Sequence, residues 1–166
     1  MLNKKIEEAL NDQINAELGS AYVYLSLAAY FESKNLDGFA NWMKNQAQEE
    51  VEHAMRFYGY INDRGGRVIL TRIDGPQTEW KSPLDGFTAA LDHEKMITGR
   101  IDRLVELADK EKDHASHGFL MWFVSEQVEE EDNVGRVVEK LKLVGDSPNG
   151  LFIMDRELAQ RGATGH

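Results

Sequence analysis

The stretch QEEVEHAMRF, residues 48–57, sets three acids and a histidine inside a long helical pattern. Read at alternating steps of four and three, its helix gives Phe39, Met43, Gln46, Glu50, His53, Phe57 and Tyr60. Such steps keep to one face of a helix and trace the seam of a packed bundle. Charges on a helix usually face water. Glu50 and His53 instead stand on the seam, where apolar residues are expected.

The same reading extends to three more segments. The first, residues 3–33, gives Leu10, Ile14, Glu17, Ala21, Tyr24, Ala28 and Phe31. The third gives Phe87, Leu91, Glu94, Thr98, Ile101, Val105 and Ala108, and the fourth Leu120, Phe123, Gln127, Glu130, Val134, Val137 and Leu141. Each seam is largely apolar, and each carries a carboxylate near its middle. That recurrence organises everything else in the chain.

Local signals bound the helices. Asp37 is a candidate N-cap for the second helix, residues 37–63, and Gly65-Gly66 its stop. Pro83 opens the third, expected to about residue 111, and Asp113 starts the fourth, which stops at Gly145. After DSPNG comes a short apolar helix at about residues 148–161. The expected architecture is all-α, one domain over residues 1–166: a four-helix bundle at about 3–144 followed by a short fifth helix.

Heights along the bundle agree as well. Glu17 and Glu50 lie at nearly equal distances from Lys34, and Glu94 and Glu130 at equal distances from Lys112. Antiparallel neighbours with such offsets bring each pair to one level. The segment RVILTRIDGPQTEWKS, between the second and third helices, lacks helical period and is far longer than a bundle turn needs. At roughly 3.3 Å per residue it can span a whole helix, so the helices should run up, down, down, up. Four carboxylates then converge in the interior.

Bulk properties exclude several classes. The chain has 166 residues and a net charge of −10, with no basic tail, which argues against nucleic acid as main partner. No apolar run reaches membrane-spanning length, so no membrane partner is expected. From the polar opening MLNKKIEEALNDQ, no secretory signal and a cytoplasmic location are expected. Cysteine is absent, which rules out disulfides and thiolate ligands.

Four buried carboxylates cannot all remain ionised without counter-charge. Either most are protonated or cations bind among them. Carboxylate oxygen with a little imidazole suits iron or manganese, and less specifically zinc. His53 follows Glu50 by three residues, so both face one centre.

With NAELGSAYVYLSLAAYF, FANWMKNQAQEEVEHAMRF, the RGG after the second helix, DHE and FVSEQVEEE, the sequence resembles a non-haem bacterial or archaeal ferritin over nearly its whole length. The resemblance implies one iron held by Glu17, Glu50 and His53, and a second by Glu50, Glu94 and Glu130, with Glu50 bridging. It places Gln127 beside the second iron and Tyr24 as a hydrogen-bond or electron donor to the site. Glu49, Glu126 and Glu129, sharing Glu130, resemble a third iron site. The function implied is ferroxidation: O2 oxidises Fe(II), and ferric oxide is stored in a hollow homo-oligomeric shell of twenty-four subunits. The closing helix would pack near the four-fold axis of that shell.

Within the wider group, a haem-binding bacterioferritin is set aside because Val51 stands where its methionine would be, so no haem is expected. Rubrerythrin needs cysteine ligands, and DNA-protecting mini-ferritins use a different, inter-subunit site. Two other functional classes compete: a di-iron oxygenase or peroxidase acting on a small molecule without storage, and a structural bundle whose central acids are protonated. Metal dependence of stability separates the last from the others.

Overall fold

The computed structural model describes residues 1–162. Five helices carry it: α1 (Lys4–Ser33), α2 (Asp37–Asp63), α3 (Pro83–Lys110), α4 (His114–Val144) and α5 (Pro148–Leu158). Among the described residues there is no strand, and no helix is long and apolar enough to cross a membrane. Helices α1 and α2 pair as one hairpin and α3 and α4 as another, and α1 packs on α3. Between α2 and α4 the contact runs through side chains, as where the Phe57 and Phe123 rings stack with centroids 4.2 Å apart.

The helix ends follow from local chemistry. Asn3 Oδ1 accepts from the Lys5 and Ile6 amides, Ser82 caps α3 ahead of Pro83, and Asp113 Oδ1 accepts from Ser116 N at 3.0 Å. These side chains satisfy amides that have no partner within the first turn. Gly145 ends α4 at φ +57°, a conformation that favours glycine.

Asp37 does not cap α2. It is the first helical residue, and Leu36 occupies the cap position without a side-chain bond. The cap comes from another helix: Asp155 Oδ1 of α5 accepts from Gly38 N at 2.8 Å and Phe39 N at 3.1 Å. A Cβ on Gly38 would lie 1.7 Å from the Asp155 carbonyl oxygen, so only glycine permits the approach. Helix α5 also ends earlier than its apolar pattern suggests, at Leu158, and residues 159–162 form turns. Residues 163–166 lie outside the described part.

The long connection runs beside α1 along the bundle. Asn11 Nδ2 donates to Arg67 O, Asn15 Nδ2 to Arg72 O and Ser26 Oγ to Gln77 O, and Trp80 packs on Tyr30. Those partners climb α1 from its start to its end, so α3 begins at the end where α1 finishes. The up, down, down, up order follows.

The core is in two parts. One apolar cluster holds Phe31, Phe39, Met43, Phe87 and Val134; the other holds Ile6, Leu10, Phe57, Ile101 and Phe123. Between them lies a buried polar layer that includes all four seam glutamates. On α3 the buried face is wider than the seam, taking in Ala90, Ile97 and Leu104 while Leu91 and Val105 are only half-buried.

Candidate metal centre

The polar layer is assembled from the middle of each bundle helix. Glu17, Glu50, Glu94 and Glu130 are all essentially inaccessible, at 0–2% exposure, and His53 is 4% exposed. Their donor atoms gather into overlapping groups. Glu17, Glu50 and His53 offer one atom each within 4.8 Å of one another, and so do Glu50, Glu94 and Glu130. Glu50 belongs to both.

Each carboxylate is held by an amide. Gln13 Nε2 donates to Glu17 Oε1 at 3.0 Å, and Gln46 Nε2 to Glu50 Oε1 at 3.0 Å and Glu130 Oε2 at 2.7 Å. Gln127 Nε2 donates to Glu94 Oε2 at 3.1 Å, and the Tyr24 hydroxyl donates to Glu94 Oε1 at 2.5 Å. His53 Nδ1 lies 3.3 Å from Glu50 Oε2 and 3.8 Å from Glu17 Oε2, while Nε2 lies 3.6 Å from Glu126 Oε1.

Burial and the crowding of acids around one imidazole set the charge state of the layer. Burial above all, then repulsion from Glu94, pushes the Glu130 carboxyl up to about 8. Burial likewise raises Glu50 and Glu94, partly opposed by hydrogen bonds from His53 to the former and from Tyr24 and Gln127 to the latter. Burial opposes charge on His53, but Glu126, Glu17 and Glu50 around the ring outweigh it and raise the imidazole strongly. Tyr24 is raised by burial and by Glu94, so its phenol keeps its proton and acts as donor.

Glu17 Oε2 is buried without a hydrogen-bond partner. A buried carboxylate oxygen left in this way costs free energy unless a cation reaches it. An oxygen-rich donor set with one imidazole fits iron or manganese. The residues present therefore suit a pair of divalent ions, with Glu50 able to serve both.

Other expected residues separate. Glu126 and Glu130 gather with His53 in a third group. The His53 hydrogen bond, working against burial, holds the Glu126 carboxyl below its ordinary value. Glu49, Glu126 and Glu129 line an opening of about 300 Å³ with Glu52, His53, Arg56 and Trp122. There Glu49 Oε2 meets Arg161 Nη2 at 3.2 Å, and the Arg56 guanidinium lies over the Trp122 ring at 3.6 Å. His93 turns away from the cluster to Ser20 Oγ, 2.7 Å from its Nε2.

Sequence reading passed over Gln13, Arg100 and Arg161 and gave Gln46 no role. Both glutamines stand four residues before a seam glutamate, a spacing that lets side chains meet on one helix face. The arginines carry no such signal, because they arrive from distant parts of the chain.

Comparison with known proteins agrees with this geometry. The sequence model of the ferritin-like domain matches residues 7–144. The chain is 44% identical over 161 residues to the bacterial non-heme ferritin of Bacteroides fragilis strain 638R, covering 97% of this chain and 100% of that protein. The bacterial non-heme ferritin of Staphylococcus haemolyticus strain JCSC1435 is also 44% identical, across 97% of each chain. A solved structure of an open pore ferritin from the hyperthermophilic archaeon Archaeoglobus fulgidus superposes with a TM-score of 0.96 at 50% identity, over 97% of this chain and 99% of that one. A closed form of the Archaeoglobus fulgidus ferritin, engineered by site-directed mutagenesis, gives the same TM-score and identity. By family model, by near-full-length identity and by fold, this chain belongs to the ferritin family.

Proposed function

We propose that the protein is an iron-storage ferritin with ferroxidase activity, taking Fe(II) and O2 as substrates. Two Fe(II) ions enter the buried layer, each gives up one electron to O2, and the Fe(III) formed passes on to a hydrated oxide inside a shell. Glu17, Glu50 and His53 hold one ion; Glu50, Glu94 and Glu130 hold the other. The observation that carries the reading is the membership of Glu50 in both groups, which couples the two ions through one side chain.

The protein's part is to bind, orient and exclude bulk water. Anionic oxygen ligands favour Fe(III) over Fe(II), since the added positive charge meets more negative charge. Apolar clusters above and below keep the layer dry. Tyr24 and Gln127 fix Glu94 at both oxygens, which keeps that ligand in one rotamer before iron arrives. Tyr24 is also assigned, from the family resemblance, as an electron donor to the site. A third ion is assigned to the opening lined by Glu49, Glu126 and Glu129, with Glu130 shared from the layer behind it.

The functional unit is taken as one domain over residues 1–166, assembling as a twenty-four-subunit shell that works in the cytoplasm. The test is iron retained per subunit after excess Fe(II) is added in air and the protein is passed through a sizing column. Retention far above three ions per subunit in a large particle is expected. A plateau near two ions in a small oligomer would instead support a di-iron oxygenase or peroxidase.

A further inference from the structure

Two of the amide donors in the polar layer share a construction that their sequence separation conceals. Gln13 stands four residues before Glu17, and Gln46 four before Glu50. Each sends Nε2 to the glutamate below it at 3.0 Å. Behind each, an arginine donates to the amide oxygen: Arg100 Nε to Gln13 Oε1 at 3.1 Å, and Arg161 Nη2 to Gln46 Oε1 at 2.8 Å. Each arginine is in turn tied by a second N–H to a backbone carbonyl, Arg100 to Asp12 O and Arg161 to Trp42 O.

A primary amide has one donor end and one acceptor end. A carboxylate that holds a metal ion is ionised and only accepts, and a guanidinium only donates, so between them the amide has one allowed orientation. Without the arginine, either glutamine could turn its oxygen toward the carboxylate and repel it. Gln13 engages Glu17 Oε1 and leaves Oε2, 3.8 Å from His53 Nδ1, as the buried oxygen without a hydrogen bond. Gln46 reaches one oxygen each of Glu50 and Glu130, one carboxylate shared by both groups and one belonging to the second.

We infer that the Arg100–Gln13 and Arg161–Gln46 pairs are positioning devices. They lock one oxygen of Glu17, and one each of Glu50 and Glu130, so that the other oxygens are presented to incoming metal. The inference rests on the two-ion reading of the site given above. It divides the labour unevenly: Arg100–Gln13 serves only the Glu17–Glu50–His53 group, whereas Arg161–Gln46 serves both. It also ties the turn after α5 to the metal layer, since Arg161 follows that helix.

The test is an anaerobic Co(II) titration of the intact assembled protein, followed by the visible absorption of bound Co(II). The variants are Gln13→Leu, Gln46→Leu, Arg100→Met and Arg161→Met, with Arg100→Lys and Arg161→Lys as conservative partners. Arg100 is only half-buried, so Arg100→Met decides the matter should Gln13→Leu fail to fold. Arg161 is largely covered on Trp42, so Arg161→Lys, which keeps the charge and most of the chain, decides for the second pair. Losing an outer partner of a metal ligand commonly weakens metal binding roughly 10-fold or more.

Gln13→Leu and Arg100→Met are expected to weaken one of two Co(II) steps by about that factor and leave the other. Gln46→Leu and Arg161→Met should weaken both. Each lysine variant should recover part of the loss, and Gln13→Leu combined with Arg100→Met should be no worse than Gln13→Leu alone. Variant affinities and spectra equal to those of the wild type would overturn the inference while leaving the two-ion site intact. Equal weakening of both steps in every variant, without rescue by lysine, would show mere loosening of the bundle and overturn it too. A wild-type protein that takes up no pair of Co(II) ions would overturn the site reading and this inference together.

Discussion

Glu50 and His53, one turn apart on α2, meet across 3.3 Å between Glu50 Oε2 and His53 Nδ1, and Glu50 belongs to both carboxylate groups of the interior. Helical spacing alone brings these two side chains to one face. Only the bundle brings Glu17, Glu94 and Glu130 to the same level. The layer therefore sets four carboxyls against one another, a conflict that bound protons or cations relieve, and measurable consequences follow from it.

Stability should depend on pH in a direction set by the raised carboxyls. Glu130 is pushed up to about 8, and Glu50 and Glu94 move the same way. The fold favours their protonated forms. The associated stability is complete below the ordinary carboxyl value of 4.5 and is lost as pH climbs through about 8. His53, also raised, contributes with the same sign. Metal-free protein is expected to melt at falling temperature from about pH 5.5 to about pH 8.5, and Zn(II) to raise Tm more at the upper end. Glu130→Gln should flatten the slope. A Tm that falls with pH but does not respond to Zn(II) would support a purely structural bundle with protonated central acids, and a Tm independent of pH would contradict the raised carboxyls.

Tyr24→Phe should affect one group of ligands more than the other. The mutation removes the donor to Glu94 Oε1 without changing ring volume. A hydrogen bond to a charged group contributes about 1.5–3 kcal/mol net. Metal binding by the Glu50–Glu94–Glu130 group is expected to weaken by roughly 10-fold, with little change at Glu17 and His53. Calorimetric titration with Zn(II) checks this. Equal weakening of both sites would place Tyr24 in general packing instead.

Gly38→Ala should be destabilising, against the usual trend. In an ordinary helix interior the change gains roughly 0.5–1 kcal/mol. Here the new Cβ would collide with the Asp155 carbonyl and lift α5 from the start of α2. Asp155→Ala should also lower stability, by about 1 kcal/mol, because two α2 amides lose their acceptor. Thermal melts, with proteolysis between α4 and α5, provide the check. A stabilised Gly38→Ala variant would mean that α5 is not seated as described.

The helix ends, the level of the four glutamates and the helix order were legible in the sequence, whereas the side chains that reach these sites from distant parts of the chain were not. Ser82 was not singled out, but Pro83, Asp113 and Gly145 marked helix ends because capping acts within one turn. The seam glutamates stood out because a carboxylate breaks an apolar stripe wherever that stripe is buried. Asp37 misled, since the true acceptor for the α2 amides comes from Asp155, 117 residues beyond Gly38. The buried face of α3 came out too narrow because α3 packs on both α1 and α4, which a single seam does not describe. Arg100 and Arg161 were invisible for the same reason: they meet Gln13 and Gln46 across 87 and 115 residues.

The shared ligand is the centre of this reading, and stopped-flow oxidation of Fe(II) by O2 in Glu50→Ala tests it most directly. Removing Glu50 takes one ligand from each group at once. The fast phase expected of the wild type should then be abolished, while the shell still forms. Oxidation at the wild-type rate in an intact Glu50→Ala assembly would contradict a paired iron site built on Glu50.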